Sequence, residues 1–594
     1  MRGLALLALV AVAAGSVPAA ANAQPWTGNA QQPDSPSSRP GARTASLGAV
    51  PSAAVCVSSS GPGIPPPASV PAGLAGFHAH WYGQSGYPSL CPGERSTAVV
   101  AFYNSGSRGW VDGRMGEVAY LGTWVPEPGQ DRPSILGGDG TRDSPATGWP
   151  RYDRVAVQPA SYVGPGQVAW FQFTVQAPPL AGTYRLAIRP LIEGAAWLED
   201  FGVFWYVTVL KADGSPPPAV GPAGTTPVAL ARPDFAEGAF ERTRAASGGI
   251  ALTDPFTSGT WTSSWIAPGF GFSELIASWN AETPAGSWIE IAMQATPDGL
   301  RPTRWWILGR WAHGDADIAR TSVPGQSDDD GRINVDTFLA GPQLMRAYRL
   351  RATLSRPAPG GATPVVTALA AAASDGPNAR PRIPSAPTGV PTELAVPRYS
   401  QEVHAGEYPE FDGGGEAWCS PTSIAMVVAY WGRGPAEGEL AAIPYADPQV
   451  DHAARYTFDA AYSGTGNWPF NTAYAATFGL RAFVTQLRSL TEAEAFLQAG
   501  IPLIASITVG SGTLPGFLFG QGTGGHLLVI AGFTAAGDVI ANDPAALSNA
   551  SVRRVYPRAA FERSWLTGSH GVVYVIHPAS TPLPPTPAGY SSNW

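Results

Sequence analysis

Between residues 76 and 374 apolar and polar residues alternate in short runs, and glycine or proline closes almost every run. Successive side chains of a strand point to opposite faces, so this alternation predicts half-buried strands; a helix would need apolar residues three and four apart. Runs at 97–103, 118–124, 167–175, 182–190 and 201–210 predict a β-sandwich over 76–210. Runs at 273–279, 287–296, 304–310, 347–354 and 364–371 predict a second sandwich or jelly roll over 229–374. With Gly 70, Pro 60 and only 13% charged residues, the chain is rich in turns and poor in material for long solvent-exposed helices. Its 594 residues exceed one core. Proline-rich stretches at 211–228 and 375–392 read as linkers.

Residues 393–580 have another character. An almost wholly apolar run at 421–431 predicts a short buried helix. Further helices are predicted at 437–442 and 471–478, and one that starts at Thr491, with Glu494 at capping-box spacing, and ends near Gly500. Strands are predicted at 502–509, 526–533, 538–541 and 571–577. Helices followed by an antiparallel sheet make an α+β domain, so the chain as a whole reads as two all-β sandwiches followed by an α+β domain. The proline-rich residues 581–594 predict a loose tail.

The N-terminal residues 1–23 read as a signal peptide. Arg2 supplies the positive start, 4–14 the short apolar core, and Ala21-Asn22-Ala23 the small-residue cleavage site. The apolar run is too short for a membrane span, which needs roughly 20 apolar residues. The expected product is secreted or held in the cell envelope. Residues 24–75, rich in Pro, Ser, Ala and Gly, predict a disordered spacer. Of the three cysteines, Cys56 and Cys91 are close enough in sequence to pair, which leaves Cys419 as a free thiol that needs a reason in an exported chain. A net charge of -8 without a basic block argues against nucleic acid as a partner.

In the first sandwich, tryptophans recur at Trp110, Trp124, Trp170, Trp197 and Trp205. They read either as core residues or as an aromatic surface for sugar or peptide. Asn104-Ser105-Gly106 before Trp110, and Leu121-Gly122-Thr123-Trp124, resemble the immunoglobulin-like domain with four tryptophans. In the second sandwich Asp328, Asp329 and Asp330 precede Gly331, with Asn334 and Asp336 beyond. Such oxygen ligands could hold calcium, although the spacing is not that of an EF-hand and acidic turns are common.

Cys419 is the candidate nucleophile. Ser420 and Pro421 open the helix behind it, and a thiol at a helix start faces the positive end of the dipole, which favours thiolate. His526 is the candidate base, since it follows Thr523-Gly524-Gly525 and begins an apolar strand. His404, His452, His570 and His577 lack that setting. Asp543 lies where a hairpin turning at Gly537 returns it beside His526, to orient the imidazole; Asn542 is the alternative orienter. The Cys419 backbone N–H is one candidate oxyanion donor, and Gln401 offers a side-chain amide.

Together, Val396-Pro397, Tyr399-Ser400-Gln401, Trp418-Cys419-Ser420-Pro421-Thr422-Ser423, Met426, Gly525-His526 and Asn542-Asp543-Pro544 resemble the C39-like family of papain-fold cysteine peptidases. The resemblance covers about 180 residues. It implies Cys419 as nucleophile, His526 as base, Asp543 as orienter and Gln401 as oxyanion donor, with no cofactor and no catalytic metal. Two departures stand out: Ser420 occupies a position where many members have glycine, and Gly406 to Gly415 lengthen the gap between Gln401 and Cys419. The expected function is an exported cysteine peptidase acting on a peptide or protein through a thioester. The alternatives are a cell-wall peptide amidase or acyltransferase, and an envelope-binding or adhesion protein whose papain-like domain is inactive. In each reading the β domains can hold a wall or surface polymer.

Overall fold

A computed structural model describes residues 56–141, 144–217, 227–246, 248–315, 318–375 and 385–594. The expected signal peptide, the spacer up to residue 55, and the linker residues 218–226 and 376–384 lie outside the described residues.

The first β body sets a three-stranded sheet (Ala79–Gln84, Arg95–Asn104, Val168–Gln176) against a larger one built around Gly182–Ile192. Phe204–Val209 and Ala119–Thr123 flank that central strand, both antiparallel. The alternation seen in the sequence fills the space between the sheets: Val100, Phe102, Phe171 and Phe173 from one meet Leu186 and Trp205 from the other. The tryptophans differ in exposure. Trp110 and Trp205 are buried core, Trp124 and Trp197 pack on each other with ring centroids 4.7 Å apart, and Trp170 is exposed. Cys56 and Cys91 form a disulfide with Cα atoms 5.9 Å apart, and Ser59–Ser60 pairs with Pro88–Leu90. The end of the expected spacer is therefore tied to the sheet.

The second β body is a sandwich of an eight-stranded and a five-stranded sheet. Glu274–Glu282 pairs with Val365–Ser374 in one, and Trp288–Thr296 with Ala347–Ser355 in the other. The acidic run Asp328 to Gly331 forms the turn of a hairpin, where Asp328 Oδ1 accepts the Asp330 N–H. Asp336 is buried instead, and its carboxylate accepts the Trp468 N–H at 2.8 Å. These oxygens thus serve the turn and a domain contact.

The C-terminal region holds six helices: α1 Cys419–Tyr430, α2 Glu437–Leu440, α3 Pro448–Thr457, α4 Trp468–Ala476, α5 Leu490–Gln498 and α6 Arg558–Gly568. They pack on an antiparallel sheet in the order Arg481–Gln486, Val572–His577, Leu503–Val509, Thr523–Phe533, Val539–Asn542, Arg553–Tyr556. The first and last of these strands, and helices α3 and α6, are additions to the elements expected from sequence. Helix α3 escapes a search for apolar periodicity because its buried face is Asp451, His452, Ala453 and Ala454 beside Val450. Two expectations need correction. Helix α5 is capped by Ser489, whose side chain accepts the Glu492 N–H, and not by Thr491, whose hydroxyl donates to Ala386. The tail is not loose: Trp594 packs on Phe496 with centroids 5.1 Å apart, and buried Asn593 donates to Gln486 O and Glu492. An apolar ring and an amide with buried partners outweigh the proline content.

The second sandwich and the α+β region share one hydrophobic core. Phe470 of α4 packs on Trp279 and Trp311, with centroids at 6.0 and 5.5 Å. Asn280 Nδ2 donates to Ala482 O at 2.7 Å, and Arg320 reaches Arg455 O. Among the described residues no helix is long and apolar enough to cross a membrane.

Candidate active site

Helix α1 begins at Cys419. Its body is buried from Ser420 to Val428, so the core fixes the helix and leaves only the first residue facing a cleft. Trp418 anchors the entry: it is fully buried and donates its indole N–H to Phe411 O. Ser420, the residue that departs from the family pattern, is also buried and shares a 3.0 Å hydrogen bond with the Tyr574 hydroxyl. A small hydroxyl is thus used structurally where glycine would leave Tyr574 without that partner. Cys419 is half-exposed, and no other described cysteine is free.

His526 lies inside the Thr523–Phe533 strand, three residues from its start, instead of beginning it. Ser423 on α1 donates to Leu527 O, which holds this strand against the helix. His526 Nε2 donates to Asp543 Oδ1 at 2.8 Å. That commitment leaves Nδ1 as the nitrogen available to the sulfur. Phe517 and Phe519 flank the ring, both with centroids at 5.7 Å, and exclude water from it. Burial alone would depress the His526 pKa; the Asp543 carboxylate, and after it the Cys419 sulfur, outweigh that and push it up to about 10.

Asp543 follows the Val539–Asn542 strand, which pairs with the His526 strand through the predicted hairpin. It is fully buried, yet both oxygens are used. Oδ1 also accepts the Ala545 N–H at 3.0 Å, and Oδ2 accepts the Tyr556 hydroxyl at 2.6 Å. Burial would raise its pKa, but the His526 charge and these donors hold it below the ordinary aspartate value. Tyr556 is a site residue that sequence reasoning missed, because a tyrosine in a strand carries no mark beyond that of a core aromatic. Asn542 does not orient the imidazole: its amide donates to Val396 O and Pro397 O and binds the upstream segment to the sheet.

Gln401 sits in the 3-10 turn Gln401–His404 and lines the same cleft as Cys419 and His526. The long gap between Gln401 and Cys419 is closed at Gly415, where an added Cβ would lie 2.4 Å from Gln401 O. Only glycine allows that approach. Gln401 Nε2 donates to Glu416 O at 2.6 Å and to Glu402 Oε1 at 3.2 Å, so both amide hydrogens already have acceptors. Its Oε1 is buried without a partner. The cleft measures about 970 Å³ and is completed by Asn334 to Thr337 of the second sandwich.

Residues 393–572 match the family model described as Peptidase_C39 like family. They form a C39-like peptidase domain. Residues 223–374, the second sandwich, match the model described as Peptidase C39 N-terminal domain, so the β body that shares the core of the C39-like domain is also one that accompanies it. No curated protein matches the chain. Among solved structures, the secreted serine protease VesC from Vibrio cholerae is 9% identical over 48% of this chain and 47% of its own, with a TM-score of 0.14. A carbohydrate-binding module of the β-sandwich superfamily is 14% identical over 50% of this chain and 96% of its own, with a TM-score of 0.12. The chain spans about half the length of the first of these, and neither likeness carries an argument about this C39-like domain.

Proposed function

We propose that this protein is an exported cysteine peptidase that hydrolyses a peptide or amide bond through Cys419, His526 and Asp543. The observation that carries the reading is the buried imidazole held at 2.8 Å by a fully buried Asp543, with the half-exposed Cys419 thiol at a helix start in the same cleft.

His526 Nδ1 accepts the thiol proton, and the helix dipole and the imidazolium favour the thiolate. The sulfur attacks the carbonyl carbon, and the electron pair of the C=O bond moves to oxygen. The Cys419 backbone N–H faces that oxyanion. Gln401 becomes the second donor by exchanging its longer contact, to Glu402, for the oxyanion. Collapse of the intermediate breaks the C–N bond, the imidazolium protonates the leaving amine, and a thioester remains. Water, deprotonated by His526, then releases the acid and restores the thiol. Asp543 keeps the Nε2–H in place throughout, and Tyr556 and the Ala545 N–H keep Asp543 ionised.

Export is supported by the apolar leader at 4–14 and by the Cys56–Cys91 disulfide, a bond that persists in oxidising compartments. The exposed Trp170, with Tyr82 at 6.4 Å on the same sheet, is the surface by which the first sandwich would hold an envelope polymer.

The test is the rate at which a thiol-directed electrophile labels Cys419 at neutral pH. In the full chain it should exceed that of a free thiol and fall to or below it in His526→Ala. If wild type reacts no faster than a free thiol, the reading fails and the binding-protein alternative takes its place.

A further inference from the structure

A second polar cluster in the C39-like domain, with two of its three residues buried, is short of the hydrogen-bond partners that burial demands. His404 closes the turn that Gln401 begins and is 0% exposed; Asp451, on α3, is 1% exposed. His404 Nδ1 lies 2.8 Å from Glu407 Oε2 and 3.3 Å from Asp451 Oδ2. One donor atom from each of the three residues falls within 4.8 Å of the others. A ring nitrogen has one N–H to give, and this one is directed at Glu407. Neither Asp451 oxygen receives a hydrogen bond, and His404 Nε2 has no partner. Buried charge of this kind is normally paired or bound to metal.

We propose that His404, Glu407 and Asp451 form a site for one divalent transition-metal ion, with Zn²⁺ as the fitting case. One imidazole and two carboxylates are a donor set that zinc accepts, whereas calcium and magnesium favour all-oxygen sites. Metal–ligand distances of about 2.0–2.2 Å set neighbouring donors about 3 Å or slightly more apart, so the three groups need only open slightly. Two positive charges balance both carboxylates with the imidazole neutral. A cavity of about 540 Å³, lined by Asp451, Tyr408 and Glu439, gives an ion access and leaves room for a water as a further ligand. The ion would lock the 401–404 turn and the 405–417 insertion to α3. Through that turn it would fix Gln401, and this last consequence alone rests on the peptidase reading.

The test uses the full chain carrying Cys419→Ala, which removes the thiol that could take zinc together with His526. Protein stripped with a chelator is titrated with Zn²⁺ alone, followed by calorimetry, metal analysis and thermal unfolding. One equivalent should bind and raise the melting temperature. Asp451→Asn and Glu407→Gln, which preserve shape, should each weaken binding by an order of magnitude or more. The proposal is overturned by absence of stoichiometric uptake, or by uptake that Asp451→Asn leaves unchanged. It is equally overturned if Asp451→Asn is more stable than its parent while the parent takes up no zinc, because the carboxylates then share a proton instead. The protein assayed has no nucleophile, so neither result bears on the peptidase reading.

Discussion

At the scale of single residues, Asp543 shows how a buried carboxylate can stay ionised: three donors surround it, one of them the His526 imidazolium. Tyr556→Phe removes one donor. The expected result is a loss of about 2 kcal/mol in stability, the range for a hydrogen bond to a charged group, with slower labelling of Cys419, read from chemical denaturation and electrophile kinetics. The raised His526 pKa fixes a sign as well. A group whose folded pKa of about 10 exceeds its unfolded value stabilises fully below about pH 6.5 and loses that contribution as the pH rises through 10. The stability gap between wild type and His526→Gln should therefore be widest below about pH 6.5 and close towards pH 10; a gap that widens with pH would contradict it. Cys419, His526 and Asp543 were legible in sequence because a lone thiol, a glycine-preceded histidine and an Asn-Asp-Pro turn are local signals, and Gln401 only through the family resemblance; the structure puts Cys419, His526 and Gln401 on one cleft, with Asp543 buried against His526. Tyr556 and the acceptors of the Gln401 amide were not, since both depend on contacts made across the fold.

At the scale of elements, the fourteen expected strands are each present to within a few residues, because two-residue alternation survives wherever one face is buried, whereas the other eighteen of the thirty-two strands among the described residues, most of them short, were not legible. Helix α3 was not legible either, because its inward face is alanine and the polar side chains Asp451 and His452, which apolar periodicity cannot register. The start of α5 was misplaced because serine and threonine stand two residues apart and only the local backbone decides which one caps. Ser489→Ala should cost about 1 kcal/mol in stability, measured by thermal or denaturant unfolding. The insertion before Cys419 is decided at Gly415. Gly415→Ala should push the Gln401 turn away from the cleft and cost about 1–3 kcal/mol, the usual range for overpacking, with Cys419 labelling retained but turnover reduced.

At the scale of the whole molecule, the order of two β bodies and an α+β domain was legible, but the common core of the last two was not. The proline-rich stretch between them suggests independence, while Trp279, Trp311 and Phe470 interlock across the boundary. Truncating a buried tryptophan costs about 3–5 kcal/mol. Trp279→Ala, made in the sandwich, should therefore lower the melting temperature of the C39-like domain too, and calorimetry should show both parts unfolding in one transition. Two separate transitions, with only the sandwich shifted, would contradict the shared core.

The turn formed by Asn334 to Thr337 belongs to the sandwich, yet it forms one wall of the cleft that holds Cys419. Asp336 in that turn is locked to the start of α4, which makes the wall rigid. The width of the entrance is consequently set in part by a hairpin outside the C39-like domain. Under the proposed function, lengthening or shortening that hairpin would retune which substrates enter, while Cys419, His526 and their supports stay untouched. Selectivity and chemistry could in this way drift apart along one lineage, each carried by its own module.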